Sequence, residues 1–211
     1  MIHFIKNNTV NWFLMRLKRL EYGKNYQKIW QERGGQLKAS HDNSPVSEKY
    51  ANQIADYIVE QVKGPTKILE YGCGFGRNIR KLEEKLESRC EIHGTDISLA
   101  ALEEGANYTH GKAILQHVDG TKIPFNDDFF DFSFTSAVLE HIPNKDFEKI
   151  CEEMIRVTRK TILHVEASRT YYTKFPHNYK KFYEKKGYTV KSFKIPGHDD
   201  TFTWYQIELT K

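Results

Sequence analysis

No stretch of the 211 residues approaches the run of about 20 apolar residues that crosses a bilayer, so no membrane-spanning helix is expected. Cysteine is scarce. Cys73, Cys90 and Cys151 are scattered and form no CxxC pair, which argues against a disulfide framework or a zinc signature and for reduced thiols in a cytoplasmic protein. An excess of one charge is also lacking. The 32 Lys and Arg against 28 Asp and Glu leave +4, short of the clustered basic excess of a dedicated nucleic-acid binder. Low-complexity and disordered composition are absent as well. With 39% hydrophobic residues, the length fits one domain that buries its core without staples.

The N-terminus is not expected to be a secretory signal. Its longest apolar run, Trp12 to Met15, is shorter than an h-region, and no small-residue cleavage site follows. It reads as a basic amphipathic helix, with Phe13, Leu14, Leu17 and Leu20 on one side and Arg16, Lys18 and Arg19 around it. That helix is expected to pack on its own domain or a partner subunit rather than on a membrane.

What is present begins with helical material over about residues 10–33 and a Gly-, Ser- and Asn-rich loop at 34–45. Ser44-Pro45 with Glu48 opens a helix that Gly64-Pro65 stops. From Lys67 the rhythm changes to strand-like runs at 67–71, 91–97, 113–118, 130–137 and 161–166. Helical stretches at 77–88, 98–108 and 145–158 separate them. Such alternation implies βαβ units and a parallel sheet with both faces covered. After a helix near 176–186, the runs 191–195 and 203–210 are joined by a short loop and should pair antiparallel. The expected fold is α/β: a doubly wound, mostly parallel sheet with an antiparallel last strand.

The first strand runs into Glu70-Tyr71-Gly72-Cys73-Gly74-Phe75-Gly76-Arg77. Glycines spaced G-x-G-x-G permit a tight strand-to-helix turn and close approach of a ligand to the backbone. The dinucleotide fingerprint G-x-G-x-x-G fails, because Arg77 occupies its third glycine position, and the phosphate-binding G-x-x-x-x-G-K-[ST] fails too. Glu70 is placed to take a cation or an amino group. Asp96 ends the second strand about 20 residues beyond the loop, where an acid accepts hydrogen bonds from ribose hydroxyls. Asp119-Gly120 ends the third strand, where an acid meets an exocyclic amine. Three acids at successive strand ends without a phosphate-binding lysine describe a ligand with an amino end, a ribose and a base.

These residues resemble the class I S-adenosylmethionine-dependent methyltransferases, in particular the small type 11 group. The stretches 68–76, 94–98, 118–142 and, more loosely, 152–160 carry the resemblance, which covers about residues 46–165. It implies a Rossmann-like sheet of seven strands with the last antiparallel. It implies S-adenosylmethionine as cofactor and S-adenosylhomocysteine as product. Glu70, Gly72, Gly74 and Gly76 would bind the methionine part, Asp96 the ribose, Ile97 the adenine face, and Asp119 with Gly120 the adenine amine. Ser136 and Ala137 would lie near the sulfonium. Residues 1–45 would form a helical segment over the site, and 46–211 the cofactor-binding domain.

On the substrate side, His141 follows the fourth strand and is the candidate general base for an oxygen acceptor. His164 and Glu166 share one face of the fifth strand. Tyr26, Trp30, Arg33, His41 and Tyr50 precede the first strand, and Arg169, Tyr171, Tyr172 and Lys174 follow the fifth. Together with Arg33 this second group could receive an anionic substrate. His198 lies in the last loop. The spacing of Glu140, His141, His164 and Glu166 does not demand a metal, and none is expected.

Four readings follow. The expected one is a methyltransferase, most simply acting on a hydroxyl of a small molecule such as a sugar or phosphorylated metabolite, as a monomer or homodimer. A nucleic-acid enzyme is disfavoured. Thr135-Ser136-Ala137-Val138 stands where amino-group base methylation uses [DNS]-P-P-[YFW], and no cysteine fits carbon-5 chemistry. RNA ribose and protein acceptors stay open, as does a noncatalytic cofactor-binding subunit. A dehydrogenase is disfavoured by the failed fingerprint.

Overall fold

The computed structural model describes residues 2–36, 38, 44–86, 89–167, 175–198 and 200–209, with side chains from Arg16 onward. Seven strands form one sheet: β1 (Thr66–Tyr71), β2 (Cys90–Asp96), β3 (Ile114–His117), β4 (Phe130–Ser136), β5 (Thr158–Ala167), β6 (Thr189–Phe193) and β7 (Phe202–Glu208). Their order is β3-β2-β1-β4-β5-β7-β6. β3, β2, β1, β4 and β5 run parallel, while β7 lies antiparallel between β5 and β6. The sheet is therefore the doubly wound, mostly parallel one that the sequence predicts. The chain reverses its direction of winding between β1 and β4, which is where open α/β sheets bind ligands.

Helices cover both faces. They are α1 (Ile2–Arg33), α2 (Pro45–Gln61), α3 (Arg77–Leu86), α4 (Leu99–Tyr108), α5 (Asn144–Val157) and α6 (Tyr179–Lys185). Residues Gly34–Gln36 form a 3-10 turn after α1. One core joins Tyr22 and Tyr26 of α1, Phe147, Ile150 and Met154 of α5, and Tyr179 and Tyr183 of α6. The other joins Ile54 and Ile58 of α2, Ile79 and Leu82 of α3, Leu102 of α4, and Trp204 of β7. The local signals act as expected. Ser44 Oγ accepts from the Ser47 amide at 3.3 Å and caps α2 above Pro45, and Ser98 Oγ caps α4 through the Ala101 amide at 3.3 Å.

Two expectations need correction. β5 begins at Thr158, three residues earlier than the sequence predicts, because Thr158 both caps α5 and pairs with Phe130. The stripe expected to pack α1 on its own domain or a partner subunit does not meet its own domain at the two leucines whose side chains are described. Leu17 is 46% and Leu20 57% exposed. At 3.6 residues per turn they lie roughly opposite Tyr22 and Tyr26, and it is the tyrosine face that meets the core. Phe13 and Leu14 lie outside the described side chains.

Candidate active site

β1 ends in Glu70, which is buried. The backbone then turns sharply through Gly72, whose φ is +75°, with a built Cβ only 2.5 Å from Val138 Cγ2. Glycine is therefore required twice over, by the left-handed backbone and by the close approach of the turn after β4. The Gly72 and Cys73 amides donate to the Thr95 carbonyl on β2 at 2.7 and 2.9 Å. Asp96 completes the anchoring: Oδ2 accepts from the Gly74 amide and Oδ1 from the Ser98 amide, both at 2.8 Å. Burial pushes the Asp96 carboxyl up, and the amides of Ser98 and Gly74 oppose that. One acid thus fixes the glycine loop and the start of α4 together.

Beyond this loop lies a cavity of about 240 Å³. Glu70, Gly72, Gly74, Asp96, Ile97, Gly120, Ser136, Ala137 and His141 all line it, as do Tyr26 and Trp30 of α1. At its β1 end three buried polar atoms have no hydrogen-bond partner among the described residues: Glu70 Oε2, Asn78 Oδ1 and Arg77 Nε. Asn78 Nδ2 donates to the other Glu70 oxygen at 2.7 Å. Burial raises the Glu70 carboxyl from 4.5 to about 8, while Asn78 and Arg77 pull it down. Burial likewise lowers the Arg77 guanidinium, and Glu70 opposes that. A buried acid and a half-buried arginine with unused hydrogen-bonding capacity suit a ligand that carries both an ammonium and a carboxylate.

α1 forms the roof. Gln27 Nε2 donates to the Asp119 carbonyl at 3.2 Å, and Ser98 Oγ donates to the Gln31 carbonyl at 3.2 Å. Gly34 then passes so close to α4 that a Cβ would meet Ser98 Oγ at 2.1 Å. Trp30 presents an edge to the His141 ring at 4.8 Å between centroids, and its Nε1 donates to Tyr22 OH at 2.8 Å. His141 Nε2 is 3.4 Å from Glu140 Oε1. Ala137, at the β4 end of the cavity, holds φ +57°, a strained value for a residue with a Cβ.

Residues 68–161 match the family model of the methyltransferase domain. Magnesium protoporphyrin IX methyltransferase from Synechocystis PCC 6803, solved with bound SAM, superposes with a TM-score of 0.67 at 11% identity. The match covers 90% of this chain and 96% of that one. The stretch from β1 into β5 is thus similar to a methyltransferase domain, and the sheet shares its fold with that enzyme. Ajmaline N-methyltransferase of Rauvolfia serpentina is 26% identical over 107 residues, 49% of this chain and 36% of that protein. An uncharacterized protein of Haemophilus influenzae is 30% identical over 98 residues, 44% of this chain and 38% of that protein. The chain thus spans well under half the length of these curated relatives.

Several predicted site residues lie outside the cavity. Asp119 is exposed and absent from the cavity lining; its carbonyl accepts from Gln27 of the roof, while its neighbour Gly120 lines the wall. Gly76 turns the chain into α3 without reaching the cavity lining. Arg33 is exposed on the outer side of α1, beside Lys18 and Glu32 in a shallow surface depression, so it does not receive a ligand in the cavity. His198 is held by Gln53 at 3.0 Å and by the Tyr50 ring at 4.2 Å, where a packed turn accounts for it. His41, Arg169, Tyr171, Tyr172 and Lys174 lie outside the described residues.

His164 and Glu166 are corrected most. They do share a face of β5, but that face is buried under α5 and α6 rather than open to the cavity. Thr135 Oγ1 is 2.7 Å from Glu166 Oε1 and 2.9 Å from His164 Nδ1, and His164 Nε2 is 2.8 Å from Tyr183 OH. Burial drives His164 down to about 3, so it is neutral. Both of its nitrogens are engaged by protein, which leaves none for a metal. Among the described residues no group of three His, Cys, Asp or Glu side chains is arranged to hold a metal ion.

Sequence reasoning passed over Gln27, Gly34, Arg77 and Asn78 as site residues. Arg77 and Asn78 carried a signal, since they open the helix directly after the glycine loop. Gln27 and Gly34 reach the site only because α1 folds back over a sheet that begins some 30 residues later.

Proposed function

We propose that this chain binds S-adenosylmethionine in the cavity and transfers its methyl group to a hydroxyl of a small molecule. The observation that carries the reading is the set of unpartnered atoms on Glu70, Asn78 and Arg77 at one end of a cavity that Asp96 borders and His141 faces. When bound, the cofactor supplies a methyl carbon made electrophilic by a positive sulfur. Glu70 and Asn78 would take its ammonium, Arg77 its carboxylate, and Asp96 the ribose hydroxyls through the lone pairs its two backbone bonds leave free. Ile97, Val118 and Gly120 would border the base.

His141 would accept the hydroxyl proton as the oxygen attacks the methyl carbon and the carbon–sulfur pair of electrons returns to sulfur. Trp30 packs against its ring and Glu140 lies behind it, which limits its rotation. The roof formed by α1 covers one side of the cavity, which favours a small acceptor over a folded polymer. The name of the Rauvolfia relative, an N-methyltransferase of ajmaline, points the same way on acceptor size.

Calorimetric titration of S-adenosylhomocysteine into wild type and Asp96→Ala tests the reading. Micromolar binding that the substitution weakens by about tenfold or more is expected from loss of charge-assisted hydrogen bonds. A folded wild type that takes up no S-adenosylhomocysteine overturns it. Labelled cofactor then screens hydroxyl acceptors.

A further inference from the structure

The turn after β4 carries His141 and, through Val138, presses on the glycine loop. Its own backbone supplies little support. The His141 and Ile142 amides close two short local bonds, to the Val138 and Leu139 carbonyls at 3.0 Å each, and Ala137 enters the turn at a strained φ. The Val138 and Glu140 amides turn instead toward β5, where Glu166 Oε1 lies 3.3 Å from the first and Oε2 3.1 Å from the second. Glu140 returns the contact: its Oε2 accepts from the Ala167 amide at 2.5 Å.

We infer that Glu166 is a positioning residue, whose buried carboxylate sets the backbone of the 138–140 turn and with it the placement of His141 and of the Val138 cavity wall. The inference rests on the cofactor and base assignments proposed above. A carboxylate on the neighbouring strand serves here as a cap, taking two amides that no helix or ladder satisfies.

The carboxylate is itself aimed. An ionised Glu166 only accepts, so Thr135 must donate its single proton to Oε1. The Thr135 oxygen then accepts from His164 Nδ1–H, and His164 Nε2 accepts from Tyr183 OH. Every donor in this chain has one acceptor, and its direction ends on Glu166. Burial together with the nearby Glu140 pushes the Glu166 carboxyl up, while Thr135 and the turn amides hold it down. The far side of the turn is tied separately. His177 Nε2 reaches the Leu139 and Ile142 carbonyls at 3.0 and 2.9 Å, and the Phe175 amide donates to the Glu140 carbonyl at 2.6 Å. The turn is thus clamped from β5 on one side and from residues 175–177 on the other.

Glu166→Gln keeps the shape but replaces one oxygen by an amino group, which must face one of the two amides donor to donor. The expected result is a loss of about tenfold in S-adenosylhomocysteine affinity and faster hydrogen exchange at 138–140. Thr158→Val serves as the control. It removes an equally buried bond between the same two strands, from Thr158 Oγ1 to Ser133 Oγ at 2.7 Å, far from the turn. It should lower Tm without changing affinity or turn exchange. If Glu166→Gln does not fold, Thr135→Val removes the aiming hydroxyl, and with it the acceptor of His164, and should weaken binding by about threefold with the same local exchange signature. Wild-type affinity and unchanged exchange at 138–140 in the folded Glu166 or Thr135 variant overturn the inference. Exchange needs no ligand, so a wild type that binds no S-adenosylhomocysteine sinks the cofactor reading alone and leaves exchange to judge Glu166.

Discussion

Glu70→Gln separates stability from binding. In the folded protein the Glu70 carboxyl is raised from 4.5 to about 8 because it is buried, with Asn78 and Arg77 opposing and Asp96 adding to the rise. The folded state therefore holds a proton that the unfolded chain has released throughout the range between those two values. Where the native state binds more protons, stability falls as pH rises. At about 1.4 kcal/mol per pH unit, ionising Glu70 in place costs on the order of 5 kcal/mol by pH 8. For a chain of this size each kcal/mol moves Tm by about 2–4 °C. Between pH 5 and pH 8.5 the wild-type Tm should fall by about 10 °C more than that of Glu70→Gln. The glutamine still accepts from Asn78 but has nothing to ionise.

Binding should move the other way. A ligand ammonium favours the carboxylate, so S-adenosylhomocysteine should expel the proton below pH 8. Its heat of binding should then scale with the ionisation enthalpy of the buffer. Glu70→Gln should be the more stable protein at pH 8, bind at least tenfold more weakly, and release no proton. Parallel Tm profiles for the two proteins, or a wild-type binding heat independent of buffer, would refute the reasoning.

Three further outcomes are expected. Gly34→Ala forces a Cβ to 2.1 Å from Ser98 Oγ and should lift the end of α1 from α4. The cost is about 1–3 kcal/mol in denaturant melts, with weaker S-adenosylhomocysteine binding. His141→Gln should leave that affinity within about threefold while methyl transfer to an oxygen acceptor drops by about 10²–10⁴-fold, read by labelled cofactor. Arg156→Met should lower stability by about 1–2 kcal/mol without touching binding. It breaks bonds of 2.7–2.8 Å that Arg156 makes to Glu153, to Asp127 and to the Ile123 and Phe125 carbonyls, on the side of the molecule away from the cavity.

The elements themselves were largely written in the order of residues. Alternating strands and amphipathic helices, Ser44-Pro45 and Ser98 at helix starts, and glycines at the β1 turn each act within a few residues of where they stand. That is why the seven-stranded sheet, its antiparallel β7 and the cavity wall from Glu70 to Asp96 could be read from local pattern. A strand's two faces are alike to such a reading, however. Alternation placed His164 and Glu166 together but could not say that their face lies under α5 and α6 and outside the cavity. The helical period of α1 likewise offered two apolar faces, and only docking chose Tyr22 and Tyr26 over Leu17 and Leu20.

Contacts between distant residues belong to the tertiary structure alone. Gln27 on Asp119, Gly34 on Ser98, and Glu166 under the 138–140 turn join positions 26 to 92 residues apart. No local propensity encodes such pairs; they arise when the sheet brings its strand ends to one edge. The sequence determined which chemical groups stand at those ends. Packing decided which of them face the cavity, because burial and crossing of the elements set where each side chain points.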